Sequence, residues 1–199
     1  MCGRFHMMTD EDVEEIQQIV QEINRRFAGK PELAQMKTGE IYPTNIVPVI
    51  ANSKSFQPKP FLMQWGFSGF GEKKQPIINA RCETAMERPM FRKPLMGRRC
   101  LIPATHYYEW HKQDGRRVKY AIKTVEPMIY LAGMYRYEAD KPLPMFTILT
   151  REAAEDIQFV HDRMPVILPH DMAMGWLEPG ADVQGLMRQA DERVIARAV

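Results

Sequence analysis

The sequence has few cysteines, and no two of them are close together. The only ones are Cys2, Cys82 and Cys100, and no C-x-x-C pair occurs. Because disulfide frameworks and structural zinc sites need paired cysteines, this scarcity argues against both. We therefore expect no metal and no cofactor. We also expect a reducing, cytoplasmic environment in which Cys2 stays a free thiol.

Long apolar runs are also lacking, and so is a strong charge of either sign. No run approaches the roughly 18–20 apolar residues of a membrane span, and the early TDEDVEE stretch is unlike a signal peptide. The net charge is only +2, so a nucleic-acid surface would have to come from local clustering of cations. We expect no membrane partner and a single globular domain over residues 1–199.

Helical periodicity is strongest near the beginning of the chain. Between Thr9 and Phe27, apolar residues recur at steps of three and four, and Thr9 with Asp12 resembles a capping box. A second helix is predicted from Glu152 to Val160, with Thr150 as its cap. A short helix near Asp171 and a partly helical tail from residue 182 are also predicted.

The middle of the chain carries the signature of strands. Short runs rich in β-branched and aromatic residues are bounded by Pro, Gly, Asn or Asp, as in NIVPVIA, PFLMQWGF, HYYEW, VKYAIKT and MFTILT. Asp114-Gly115 predicts a tight hairpin between HYYEW and VKYAIKT. Because strands follow one another instead of alternating with helices, we predict an α+β fold with a mostly antiparallel sheet.

Cys2 stands where removal of one methionine would make it the first residue. An α-amine has a pKa of about 7.7–8.0, so a useful fraction is a free base near neutrality. Such an amine attacks an aldehyde to give a Schiff base, and the neighbouring thiol can then close a five-membered ring. The alternative is that Cys2 only packs in the core as a small hydrophobe.

The stretch PIINARCET contains an amide and a cation that suit substrate binding. The amide of Asn79 could hydrogen-bond a backbone group or orient a substrate oxygen, and Arg81 could hold a phosphate with two hydrogen bonds. We predict an extended segment in which Arg81 and Glu83 face one side. The alternative is that these two residues belong to a structural ion-pair network.

Two further stretches carry acid–base groups. In HYYEWHK, period two puts Glu109 on one face with Tyr107, where aromatic surroundings would raise its pKa for acid–base work. A strand-edge glutamate that faces water is the alternative. In FVHDRMP, a predicted helix C-terminus would favour the charged form of His161, and a helix-capping histidine without chemistry is the alternative.

Five motifs, in order, resemble the SRAP (SOS response-associated peptidase) family. They are MCGRF, QWGF, INARCET, RRCLIPATHYYEW and HDRMPVIL, and together they span most of the chain. The resemblance implies an α+β fold whose twisted, mostly antiparallel sheet forms an open barrel-like core with flanking helices. It implies that the protein senses abasic sites in single-stranded DNA and shields them as a covalent thiazolidine on Cys2.

The resemblance also implies roles for individual residues. Cys2 would be the nucleophile, Asn79 an orienting group, Glu109 a proton shuttle, and His161 an aid to Schiff-base chemistry. The residues that would line the DNA path are Arg4, Trp65, Arg81, Thr150 and Arg163. The family's peptidase label implies exposure of Cys2, by autoproteolysis or otherwise. We expect a monomer that associates with DNA in the nucleoid.

Two other function classes stay open at this point. The first is a peptidase with a cysteine or N-terminal nucleophile, in which Cys2, Glu109 and His161 would be the working residues. The second is a protein that binds single-stranded DNA without covalent chemistry.

Overall fold

The strands and helices confirm the α+β class. A computed structural model describes residues 2–8, 13–71 and 74–199. Within them lie thirteen strands and five α-helices. The strands are β1 Arg4–Met7, β2 Gly39–Ile41, β3 Ile46–Asn52, β4 Pro58–Trp65, β5 Asn79–Arg81, β6 Arg99–Ala104, β7 His106–Gln113, β8 Arg116–Lys123, β9 Ile129–Arg136, β10 Met145–Glu152, β11 Arg163–Pro165, β12 Ile167–Leu168 and β13 Ile195–Ala198. The helices are α1 Glu14–Arg26, α2 Cys82–Ala85, α3 Pro89–Gly97, α4 His170–Ala173 and α5 Val183–Arg188.

The strands form two sheets. The five-stranded sheet has the order β13-β8-β7-β1-β2. The eight-stranded sheet has the path β11-β10-β4-β3-β6-β9-β12, and its eighth strand, β5, pairs with β10 beside this path. In the second sheet β10 also pairs with β9, so its strand order closes on itself. Among the strands of the described residues, only the pairings of β10 with β4 and with β5 are parallel, which confirms the mostly antiparallel prediction.

Helix α1 follows its apolar stripe. Its side chains Ile16, Ile19 and Ile23 are buried against the sheets, while acidic residues lie in its first turn and basic residues in its last. The predicted capping box of Thr9 and Asp12 lies outside the described residues. The predicted short helix near Asp171 is confirmed by α4, and the helical part of the tail by α5.

The β7–β8 hairpin is built as its turn residues predict. Asp114 and Gly115 connect the two strands, and both have positive φ values, 49° and 76°. Two positive φ values at a two-residue connection are what the right-handed twist of a hairpin requires. This turn fixes the register of β7, and therefore the face on which Glu109 lies.

One local prediction is wrong, and one strand was not predicted. The segment predicted as a helix from Glu152 to Val160 continues β10 through Glu152 and then makes only a 3₁₀ turn at Glu155–Ile157. Strand pairing with β5 and β11 overrides the helical periodicity there, because it satisfies the backbone of Thr150 and its neighbours. The strand β13, at the edge of the five-stranded sheet, was not predicted.

Among the described residues, no helix has both the length and the apolar character needed to cross a membrane.

Candidate active site

Cys2 lies in the core immediately before β1. Its side chain is fully buried, and its Sγ lies 3.6 Å from the carbonyl oxygen of Arg4. Burial raises the pKa of the thiol well above its usual range, and the negative charge of Glu109 adds to the rise. The thiol is therefore neutral at physiological pH and needs a base before it can act as a nucleophile.

Asn79 holds the backbone of Cys2 in place. Its Nδ2 donates a hydrogen bond of 2.8 Å to the carbonyl oxygen of Cys2. Its strand, β5, pairs with β10 through Ile148, so the amide projects from a rigid element. Its Oδ1 is buried and has no hydrogen-bond partner among the residues that the structure describes. That oxygen is available to accept a hydrogen bond from a bound group.

Glu109 lies on β7, on the face that points into the core. Only 5% of the residue is exposed, so the alternative of an edge glutamate that faces water is wrong. Burial raises the pKa of its carboxyl to about 7. A carboxyl with this pKa exchanges protons readily at neutral pH, as general acid–base catalysis requires.

His161 does not lie at a helix C-terminus, because the predicted helix is absent. Burial lowers the pKa of its imidazole, which corrects the expectation that a helix dipole would favour the cation. Nδ1 lies 3.0 Å from the backbone N of Arg163 and 2.7 Å from Oδ1 of Asp162. The first contact suits the neutral ring and the second the protonated ring, so Nδ1 has a partner in both states.

Arg163 anchors the segment that carries His161. It is 8% exposed, its Nη1 and Nη2 each lie 2.8 Å from a carboxylate oxygen of Glu83, and Nη2 also donates to the carbonyl oxygen of Thr150 at 2.9 Å. The hydrogen bonds from Arg163 lower the pKa of Glu83. The structural ion-pair network considered from the sequence is therefore confirmed for Glu83, through Arg163, while Arg81 has no ion pair among the described residues.

The extended segment predicted through Glu83 is also wrong. The strand ends at Arg81, and residues Cys82–Ala85 form the short helix α2. The turn continues as the backbone N–H groups of Glu87 and Arg88 donate to the carbonyl oxygen of Thr84. This helical turn swings the carboxylate of Glu83 toward Arg163 and leaves Arg81 exposed.

Arg81 and Arg163 line one open cavity beside His161. The cavity has a volume of about 480 Å³, and its walls are Arg81, Glu152, Gln158, Asp162 and Arg163. The exposed guanidinium of Arg81 suits a phosphate, which it can bind with two hydrogen bonds. Both Nη atoms of Arg163 are instead held by Glu83 and Thr150. The two neighbouring carboxylates limit the net positive charge.

Arg4 lies away from this cavity, on the opposite face of β1 from Phe5. Its Nη1 lies 3.1 Å from Oε1 of Glu40, and its guanidinium lies over the rings of Tyr42 and Trp110, at 4.4 and 4.8 Å from their centroids. The structure therefore does not bring Arg4 together with Arg81 and Arg163 at one opening.

Two residues predicted to line the DNA path are in the core. Trp65 and Thr150 are both 0% exposed, so neither can stack on a base or contact a phosphate from this position. Trp65 instead donates from Nε1 to the carbonyl oxygen of Ile78 at 3.1 Å and packs on Phe5. These contacts hold β5 against β1, so Trp65 supports the placement of Asn79 beside Cys2.

Sequence reasoning gave no role to one residue that borders the site and missed another. Tyr107 is fully buried on the same face of β7 as Glu109, where strand alternation predicted it, but the sequence did not indicate a function for it. Phe159 is half-exposed and contacts the rings of His111 and Tyr120, at 5.9 and 5.5 Å between centroids. It ties the segment that carries His161 to the β7–β8 hairpin, and no sequence pattern indicated this contact.

Comparisons with known proteins agree on one family. The family model for SOS response associated peptidase (SRAP) matches residues 1–199. Abasic site processing protein YoaM of Bacillus subtilis is 34% identical over 190 residues, covering 90% of this chain and 80% of its own. Abasic site processing protein YoqW of the same organism is 33% identical over 189 residues, covering 90% and 81%.

A crystal structure of a Bacteroides thetaiotaomicron protein shares the fold, with a TM-score of 0.77 and 21% identity over 100% of this chain and 92% of that one. With the family model matched over its whole length and relatives above 30% identity, the chain belongs to the SOS response associated peptidase (SRAP) family.

Proposed function

We propose that this protein processes abasic sites in DNA by forming a covalent crosslink to them through Cys2. The relatives named as abasic site processing proteins support abasic DNA as the substrate. The immediate surroundings of Cys2 support the chemistry. Asn79 donates a hydrogen bond of 2.8 Å to the carbonyl oxygen of Cys2. The charge of the buried Glu109 carboxyl, whose pKa is about 7, acts on the thiol of the same cysteine.

The reactive form begins at Cys2, after removal of Met1. The free α-amine of Cys2 attacks the C1′ aldehyde of the ring-opened abasic sugar, and loss of one water gives an imine. The thiol then adds across the C=N bond, so that sulfur binds carbon and a proton ends on nitrogen. Both nucleophiles belong to one residue, so the second step is intramolecular and its effective concentration is high.

Glu109 and His161 transfer protons in these reaction steps. Glu109, with a pKa of about 7, donates a proton to the hydroxyl that leaves as water and later accepts one. His161 has a partner for Nδ1 in either protonation state, which suits opening of the sugar ring and reversal of the imine. Asn79 offers its buried Oδ1 to orient the substrate.

The DNA path runs along the cavity that Arg81 and Arg163 line. The exposed guanidinium of Arg81 binds a backbone phosphate next to the abasic nucleotide, and Arg163, which is held by Glu83, adds its positive charge to the same opening. Arg4 is a further contact on the opposite face of β1. Single strands fit this arrangement because an extruded sugar must reach a buried thiol, which a stacked duplex would prevent.

A general peptidase is the weaker candidate. Such an enzyme attacks with a thiolate, and the pKa of the Cys2 thiol is raised by burial instead of lowered. Chemistry that begins at the amine does not need the thiolate in its first step, so the raised thiol pKa counts against the peptidase and not against imine formation.

Crosslinking on a denaturing gel tests the proposal. Single-stranded DNA with one abasic site should give a band that survives denaturation, and intact DNA of the same sequence should give none. Cys2→Ala should abolish the stable band, while Cys82→Ala, which removes a half-buried thiol elsewhere, should retain it. A stable band with Cys2→Ala would contradict the mechanism.

A further inference from the structure

The phenol hydroxyl of Tyr107 is an unusual group in this core. The residue is 0% exposed, and the hydroxyl has no hydrogen-bond partner within the described part of the chain. A buried donor without a partner costs about 1–3 kcal/mol relative to a paired one. A phenylalanine would fill the same space without this cost, so the oxygen is not explained by packing.

Tyr107 lies in the same buried region as the reacting groups Cys2 and Glu109. It lies two residues before Glu109 on the inward face of β7, and it pairs across the sheet with Phe5, three residues after Cys2. Burial raises the pKa of its hydroxyl, and the charges of Cys2 and Glu109 raise it further. The three titratable groups therefore share one poorly solvated region.

We propose that Tyr107 is a catalytic residue that carries the proton of the Cys2 thiol to Glu109 during ring closure. This inference rests on the proposed crosslinking function. As sulfur bonds to the imine carbon, the electron pair of the C=N π bond moves to nitrogen. The thiol proton passes to the Tyr107 oxygen while the Tyr107 hydroxyl proton passes to the Glu109 carboxylate. Glu109 then gives a proton to nitrogen, so the sum is addition of S–H across C=N.

The thiol needs such a carrier because burial keeps it protonated. Glu109 has the right proton affinity, with a pKa of about 7. A hydroxyl can accept from sulfur and donate to a carboxylate at the same time. Its lack of another partner leaves both functions free for the reaction.

Tyr108 supplies a matched control, because it is the same residue type on the other face of the same strand. Its hydroxyl lies 3.1 Å from Nδ1 of His6, and its ring is covered by the ammonium of Lys119 at 3.8 Å from the centroid. Tyr108→Phe therefore removes a hydroxyl that is already paired outside the site.

The experiment compares Tyr107→Phe and Tyr108→Phe with the wild type, all starting at Cys2, on abasic single-stranded DNA. Parallel samples are denatured with and without a borohydride quench, which converts the labile imine into a stable amine. For Tyr107→Phe we expect imine formation at the wild-type rate and ring closure slowed by roughly 10- to 100-fold. Adduct recovered only with borohydride should then accumulate. Tyr108→Phe should match the wild type.

Thermal unfolding separates this effect from a folding defect. Tyr107→Phe removes a buried, unpaired hydroxyl, so its melting temperature should equal or exceed that of the wild type. Ring closure at the wild-type rate in Tyr107→Phe would overturn the role of Tyr107 and leave the crosslinking function intact. A wild type that forms neither imine nor stable adduct would overturn both.

Discussion

Polar groups on the two faces of the five-stranded sheet have opposite electrostatic environments. On the inward face, burial raises the pKa of the Glu109 carboxyl to about 7, and the Tyr107 hydroxyl is unpaired within the described residues. On the outward face, hydrogen bonds from Lys119 and Arg4 outweigh the effect of burial and lower the pKa of Glu40. Two glutamates on opposite faces of this sheet therefore have pKa values that are shifted in opposite directions.

The difference separates stability from chemistry. The outward groups have partners supplied by the fold, since Glu40 accepts from two cations and Tyr108 lies against His6. On the inward face, the hydroxyl of Tyr107 is buried without a hydrogen-bond partner among the described residues, at a cost that their contacts do not offset. In the proposed function, the reacting Cys2 supplies that missing partner, so the cost is offset only during the reaction.

The largest expected effect distinguishes the two glutamates by activity. Glu109→Gln should slow crosslinking at saturating abasic DNA by roughly 10²- to 10⁴-fold, because it removes the acid–base group. Glu40→Gln should change that rate by less than about threefold, because its carboxylate only pairs with cations on the outward face. Single-turnover kinetics measures both. Equal rates for the two variants would break the distinction between the faces.

The next effect concerns how stability depends on pH. In the folded state the pKa of Glu109 is raised from 4.5 to about 7, so the folded state binds its proton more tightly than the unfolded state. This residue therefore lowers the free energy of unfolding as pH rises from about 4.5 to about 7. The change is at most on the order of 3 kcal/mol.

His106 on the outward face should act with the opposite sign. Burial and the nearby His6 ring lower its pKa from 6.5 to about 4, so the unfolded state binds its proton more tightly. This residue makes the free energy of unfolding rise between about pH 4 and 6.5. Urea titrations at several pH values should show a steeper rise for Glu109→Gln and a shallower rise for His106→Asn. Two variants with the same pH slope as the wild type would contradict both assignments.

The smallest expected effect is on the outward ion pair. Arg4 and Glu40 are partly exposed, with a contact of 3.1 Å, so their coupling should be about 0.2–1 kcal/mol and should weaken with salt. A double-mutant cycle with Arg4→Ala and Glu40→Ala, followed by urea unfolding, measures it. A coupling of several kcal/mol between Arg4 and Glu40 would contradict the distinction, because it would mean that the outward face is as poorly solvated as the inward face.

Several elements of the fold could be predicted from local sequence patterns, because residues close together in the chain determine them. The Asp114-Gly115 turn predicted the β7–β8 hairpin. The same turn sets the strand register that places Glu109 on the inward face. The α1 stripe gave a helix that lies within the predicted range. These elements depend on periodicity and turn chemistry that a single sequence carries.

Other features depended on partners that are distant in the chain. Thr150 was expected at a helix cap but lies in β10, because its strand pairs with both Arg81 and Pro165. Arg163 was expected on a DNA path, yet its guanidinium also holds Glu83, 80 residues away in sequence. Trp65 fits a surface and a core equally well until its indole N–H is seen to bind Ile78.

Intact mass spectrometry of the protein, before and after incubation with single-stranded DNA carrying one abasic site, tests the central claim most directly. We predict that the reacting species begins at Cys2 and that its mass increases by that of the oligonucleotide less one water. A protein whose mass does not change, or an adduct on a form that retains Met1, would contradict the account.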